Sequence, residues 1–310
     1  MRTLPLVLAA ASAASVIAAP LESRANYDPL PGGDVTIIQY ALVLEYLERE
    51  FYKQGLSNYT EAEFCEFAGD DGSKFYNNLR TIYEDEKTHV EFLRSALGAS
   101  AFPEPYFAFP TTTAQSFLSL AAVLEGVGVS AYLGAAPVIA DKNYVHPAGS
   151  ILAVEARHAS YVRNAIGQKP FPKAFDTPLN FNQVHSMASQ FIVGFAPGTP
   201  ALPFKAFPKL EVNFVKGFDG VVFNGAFAAA VAANTVPSGA KVYAVFFSGL
   251  DTYYSEVFVN GADYVVEDIP EGATGQVYVV LSTANGKDAE VTDENTVAGV
   301  GIIEVGYAGY

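Results

Sequence analysis

Residues 117–132 read FLSLAAVLEGVGVSAY, and one acid, Glu125, stands in the middle of them. It is the only charged residue between Glu104 and Asp141. A helix that is apolar on every side is a buried helix. A carboxylate left unpaired inside it costs several kcal/mol or must hold a proton. Something positive is therefore expected to face Glu125. The competing explanations are a salt bridge from a partner helix, a neutral buried acid, or a membrane span with an acid inside it. A span fits on length alone, but the other helical segments are less apolar and the chain opens with an export signal.

The same difficulty recurs upstream. Residues 37–52 read IIQYALVLEYLEREFY, and Glu45 follows turns that are almost wholly apolar. Glu48 lies three residues on and Tyr52 seven on, both near the face that carries Glu45. Glu48 and Glu50 are explained equally well as solvated acids; Glu45, deeper in the apolar run, is not.

Two further segments supply the complement. Glu86-Lys-Thr-His89 and Glu155-Ala-Arg-His158 each put a carboxylate and an imidazole at i and i+3, on one helix face. One such pair means little. Two, on two long helices interleaved with two buried lone glutamates, make a specific constellation, and it uses two of the four histidines in the chain. Of the others, His146 is read as a loop residue before Pro147, and His185 as structural or as a partner standing behind a ligand.

One glutamate from each of two helices plus Glu-x-x-His from the other two is the pattern of the ferritin-like carboxylate bundles that hold paired iron or manganese. The expected ligands are Glu45, Glu86, His89, Glu125, Glu155 and His158, with Glu48 and Tyr52 as candidate additions. Carboxylate and imidazole suit two divalent ions of iron or manganese, and no thiolate is present to favour a softer metal. Four carboxylates and two neutral imidazoles carry −4, which two divalent ions cancel.

Residues 40–52 (YALVLEYLEREFY), 85–93 (DEKTHVEFL), 125–136 (EGVGVSAYLGAA) and 154–163 (VEARHASYVR) resemble the fungal secreted ferritin-like proteins of the Rds1-like stress-response and desiccation-related family. The resemblance spans residues 34–195, implies the bundle and its metal site on the six residues named, and implies no reaction.

The segments around the constellation set the organisation. Residues 36–54, 73–97, 113–140 and 147–166 read as four long helices and 180–195 as a shorter fifth. Asp34 is the expected N-cap of the first and Gly98 the stop of the second. Pro103, Pro105 and Pro110 exclude a helix between them. About fourteen extended residues there reach roughly 45 Å, enough for a crossover from one end of a bundle to the other. Beyond residue 200 the pattern becomes short β-branched and aromatic runs at 241–247, 256–259, 264–267, 276–281 and 301–305, parted by Gly and Pro turns. The expected fold is α+β in two domains: a ferritin-like four-helix bundle over 34–197, then a β-sandwich over 201–310, with an immunoglobulin-like arrangement as one candidate.

Residues 1–19 read as a secretory signal peptide, with Arg2 ahead of an apolar stretch and Ala18–Ala19 as the cleavage site; 20–33 read as an N-terminal extension. A secreted or cell-surface location follows. Cys65 is the only cysteine, so no internal disulfide can form, and it is expected to be a buried free thiol rather than an intermolecular link. Asn58-Tyr59-Thr60 is a glycosylation acceptor. With 33 acids against 18 basic residues, nucleic acid and anionic membrane are poor partners.

Two functions stay open. One is a dinuclear metal oxidoreductase acting on peroxide or dioxygen, in the manner of a manganese catalase or a ferroxidase, with Tyr52, Tyr132 and Tyr161 near the ligand helices as relays or as plain packing. The other is a non-catalytic stress or cell-surface protein, prone to cell-wall or self-association, whose metal site is structural or vestigial. Iron storage fits poorly, because an appended domain obstructs the packing of bundles into a cage.

Overall fold

A computed structural model describes residues 30–67, 72–214 and 220–306. The segment read as a signal peptide and most of that read as an N-terminal extension lie outside the described residues. Four long helices form the bundle: α1 (Gly33–Asn58), α3 (Gly72–Leu97), α4 (Ala114–Ala135) and α5 (Lys142–Ala165), with a short α2 (Glu61–Cys65) between the first two. Thr113 caps α4 through a reciprocal pair with Ser116. Asp141 caps α5 by accepting from the Asn143 amide, and Gly98, with φ of +54°, ends α3 as expected.

Two local expectations fail. Asp34 does not cap α1; that place falls to Gly32, and the Asp34 carboxylate instead accepts from the amides of Ala140 and Asp141, tying α1 to the entry of α5. The last bundle helix begins at Lys142, so His146 and Pro147 lie within it rather than in a loop. Five residues precede Pro147 in the helix, so its missing N–H costs only one bond near the end.

Burial explains the different texture of the helices. Buried positions on α3 recur at Phe75, Leu79, Ile82, Glu86, Val90, Leu93 and Leu97, a single stripe. On α1 every residue from Ile37 to Glu48 is buried. α1 and α4 are thus enclosed on both sides: α3 and α5 pack on one, and a β-sheet covers the other. Residues 114–138 are apolar and long enough to cross a membrane, yet 72% of their most apolar window is buried within the protein.

After α5 the chain forms α6 (Phe181–Ala188) and then, where a continued helix was expected, a short strand β2 (Ile192–Gly194). It pairs with β1 (Tyr106–Phe107) of the crossover. The remainder is two four-stranded antiparallel sheets. β3 (Glu211–Asn213), β4 (Val221–Asn224), β8 (Asp263–Val266) and β7 (Phe258–Asn260) form one, in the order β3-β4-β8-β7. The other is β10-β9-β5-β6, from β5 (Tyr243–Ser248), β6 (Asp251–Glu256), β9 (Gly275–Ser282) and β10 (Thr296–Val305). Relabelled A to G with an added C′, the orders are A-B-E-D and C′-C-F-G, so the sandwich has immunoglobulin topology. It lacks that fold's usual disulfide and tryptophan, since the chain has no Trp and its one cysteine is Cys65. A short α7 (Ala226–Ala233) follows β4.

Alternation assigns the two faces of the inner sheet. Ala244, Phe246, Val277, Val279 and Leu281 join Val221 and Phe223 in the sandwich core. Val245, Phe247, Tyr278 and Val280 turn the other way and join Leu44, Phe51, Phe117 and Leu124 of the bundle. A buried ion pair pins the contact, with Arg163 of α5 donating two hydrogen bonds, of 2.7 and 2.8 Å, to the Glu304 carboxylate of β10. Tyr278 reaches α4 directly, donating to the Gly126 carbonyl at 2.8 Å, while Gln276 donates to that of Val123.

Candidate metal centre

The four helices bring the six expected residues to one point near the middle of the bundle. Glu45, Glu86, Glu125 and Glu155 are fully buried, and His89 and His158 nearly so. They fall into two groups of four, Glu45/Glu86/His89/Glu155 and Glu86/Glu125/Glu155/His158. Within each group the donor atoms all lie within 4.8 Å of one another. Oxygen and nitrogen ligands sit about 2.0–2.2 Å from a small divalent ion, so donors on opposite sides of one are roughly 4.2 Å apart. Each group therefore has the span of a single ion. Glu86 and Glu155 belong to both, which makes them the carboxylates two ions would share.

Spacing along the antiparallel helices produces this. Tyr132 of α4 donates to Glu45 of α1 at 2.5 Å, and Tyr52 of α1 donates to Glu125 of α4 at 2.5 Å. Each glutamate is seven residues before the tyrosine of its own helix, so two antiparallel helices satisfy both bonds at once. α3 and α5 repeat the arrangement with Glu86/His89 and Glu155/His158. His89 Nδ1 lies 3.1 Å from Glu45, 3.4 Å from Glu86 and 3.2 Å from Glu155. His158 Nδ1 lies 2.9 Å from Glu86 and 3.4 Å from Glu125. The other nitrogen of His158, Nε2, stands 3.2 Å from Asp85. A carboxylate behind an imidazole fixes its tautomer and orientation. Asp85 was missed in the sequence although it adjoins Glu86, because a half-exposed helical acid carries no pattern of its own.

Glu48 joins the cluster as a fifth carboxylate. It is 4% exposed, and it breaks the two-fold likeness, since the corresponding position on α4 is Gly128. A Cβ at Gly128 would stand 2.8 Å from Glu48 Oε1 and 3.2 Å from Glu155 Oε2, so the glycine makes the space that Glu48 fills. Tyr52 reaches the cluster through its hydrogen bond to Glu125. Tyr161 is outside the site, bonded to Asn78 and stacked on Phe75. His146 is exposed and His185 is half-buried near Phe204, both away from the cluster.

Electrostatics mark the site as unfinished by protein alone. Among the described residues, buried side-chain polar atoms without a hydrogen-bond partner are both oxygens of Glu86 and of Glu155, one each of Glu48 and Glu125, Nδ1 of His158, and one distant atom on Gln168. Native proteins seldom leave such groups unpaired. Burial pushes the Glu45 carboxyl up to about 7, against hydrogen bonds from His89 and Tyr132. Burial and neighbouring carboxylates raise Glu48 and Glu155 well above the ordinary range. Burial also works to raise Glu86, but the His158 and His89 imidazoles beside it prevail and hold it at about 2. Desolvation disfavours both imidazolium ions. The carboxylates of Glu155, Glu45 and Glu86 around it nevertheless raise His89 strongly, and Glu125 and Glu86 push His158 up to about 12. Protons on the histidines thus supply positive charge whenever no metal does. The donor set, its geometry and its orphaned atoms fit metal ions.

Residues 33–168 match the ferritin-like domain family, and the helical half of the chain is a ferritin-like domain with a buried Glu/His cluster compatible with a metal site. The chain is also similar to Protein rds1 of Schizosaccharomyces pombe (strain 972 / ATCC 24843), at 27% identity over 203 residues. The likeness covers 63% of this chain and 50% of that protein, so the chain spans half its relative's length.

Proposed function

We propose that the bundle binds two divalent ions of iron or manganese and that the protein is an exported redox protein acting on peroxide or dioxygen. The observation that carries this is the pair of four-residue groups sharing Glu86 and Glu155, buried and unsatisfied without cations. In that reading Glu45 and His89 hold one ion, and Glu125 and His158 the other. When bound, such a pair supplies a two-electron couple to a small oxygen species. The chain does the rest. Tyr52 and Tyr132 orient the outer glutamates by hydrogen bonds, and Asp85 orients His158. Glu48, whose carboxyl burial favours in the protonated form, can hold a proton beside the ions and leaves the cluster at −4.

Turnover of hydrogen peroxide tests the reading. Two molecules of peroxide should give two of water and one of dioxygen, or ferrous ion should be oxidised at the expense of dioxygen. The rate should vanish in Glu125→Gln. A fully metal-loaded protein inert toward both would sink the enzymatic reading in favour of a non-catalytic stress or cell-surface protein. For export, the native N-terminus should map near residue 19 or 20, and Asn58, exposed at the end of α1, should carry a glycan.

A further inference from the structure

A cavity of about 230 Å³ lies between the bundle and the sandwich, against the metal cluster. Its walls come from both halves of the chain, with Leu47 of α1, Leu124 and Val127 of α4, Met187 of α6, Val212 of β3 and Ile302 of β10 among them. Only two of its lining side chains are polar, Glu48 and Gln190. Gln190 is exposed and Glu48 buried, so the cavity runs from solvent at Gln190 down to Glu48. At the floor Gly128 presents no side chain, and the oxygens of Glu48 and Glu155 lie directly against it. Of the two Glu48 oxygens, Oε1 is the one at this floor, 2.8 Å from where a Cβ on Gly128 would stand.

Apart from Glu48 and Gln190, the side chains that line this space are apolar. It suits a small organic body, since about 150 Å³ of apolar cavity is enough to hold benzene. The Glu48 oxygen at the floor, Oε1, favours a ligand with one hydrogen-bond donor at one end. We propose that the cavity is a binding site for a small monocyclic phenol, seated with its ring among the apolar side chains and its hydroxyl donating to Glu48. It deepens the proposed function, and rests on it, by naming the organic substrate class that this centre would take.

The test is equilibrium binding of p-cresol and toluene to the full chain, followed by ligand-observed NMR, with metal content measured on the same samples. p-Cresol should occupy one site, and toluene, lacking the hydroxyl, should bind about tenfold more weakly. Ala188→Phe, on a buried wall position of α6, should fill the space and abolish both with the metal content unchanged. Val212→Phe, from the opposite wall, should do the same and serves if the first variant does not fold. Absence of p-cresol binding to the metal-loaded protein would overturn the proposal, as would equal binding by the filled variants. Binding by a chain that takes up no metal would leave the cavity standing and refute the metal reading instead.

Discussion

Replacing Glu155 with Gln separates a metal site from a buried salt bridge, because the two predict opposite changes. Glu155 is fully buried, belongs to both four-residue groups, and lies 3.2 Å from His89. Each ion present at a hundredfold excess over its dissociation constant stabilises the fold by about 2.7 kcal/mol, so two add roughly 5 kcal/mol. For a protein of this size 1 kcal/mol moves Tm by about 2–4 °C, giving a metal-dependent shift of about 10–20 °C. Gln at position 155 removes a charge that both ions would share. A hundredfold loss in each affinity leaves about 0.4 kcal/mol per ion at the same concentration, and the shift shrinks to about 2–3 °C. Meanwhile Glu155 is crowded by the charges of Glu86 and Glu45, so the metal-free variant should melt at the wild-type temperature or above it. Differential scanning calorimetry with EDTA, and then with Mn(II) or with Fe(II) under nitrogen, reads both. An undiminished metal shift in the variant would refute the shared-ligand argument. A metal-free Tm lower by 5 °C or more would make Glu155 a structural partner of His89.

Other outcomes follow from the same contacts. Tyr52→Phe removes the hydrogen bond to Glu125 and should weaken Mn(II) binding about 10–100-fold while costing the fold only about 1 kcal/mol, by titration and denaturant melts; unchanged affinity would reduce Tyr52 to packing. Metal must displace the protons on His89 and His158, so affinity should fall about a hundredfold per pH unit as pH drops from 7.5 to 5.5, with two or more protons released in calorimetry; a flat profile would contradict this. For the metal-free protein the sign is set by raised values. His89, His158 and Glu45, the last at about 7, bind more protons folded than unfolded, so Tm should decline from pH 5 to 8, and a rise would count against the cluster as described. Arg163→Ala leaves Glu304 unpaired and should cost about 3–5 kcal/mol in one cooperative transition, because bundle and sandwich share a core; a loss below about 1 kcal/mol or two separate transitions would contradict that.

The bundle was legible because helical spacing is rigid: once Glu45, Glu125 and the two Glu-x-x-His pairs lie on helices, their faces follow. The helix ends were less so. Asp34 has the sequence of a cap, but a carboxylate can serve any unpaired amide nearby, and those of Ala140 and Asp141 were brought within reach only by tertiary folding. In the sandwich, β6 went unread because residues 251–256, DTYYSE, are polar and half-exposed at a sheet edge, and β3 and β4 because they are only three and four residues long. The fit of Glu48 to Gly128 joins residues eighty positions apart through the absence of a side chain, which no periodicity reveals. Cys65, expected to be buried, is a half-buried free thiol packed on Gly72.

Elemental analysis of the purified protein, beside His89→Ala/His158→Ala, tests the central claim most directly. About two equivalents of iron or manganese per chain, lost in the double variant, is the result this account predicts. No bound transition metal in the wild type after reconstitution with either ion would contradict it.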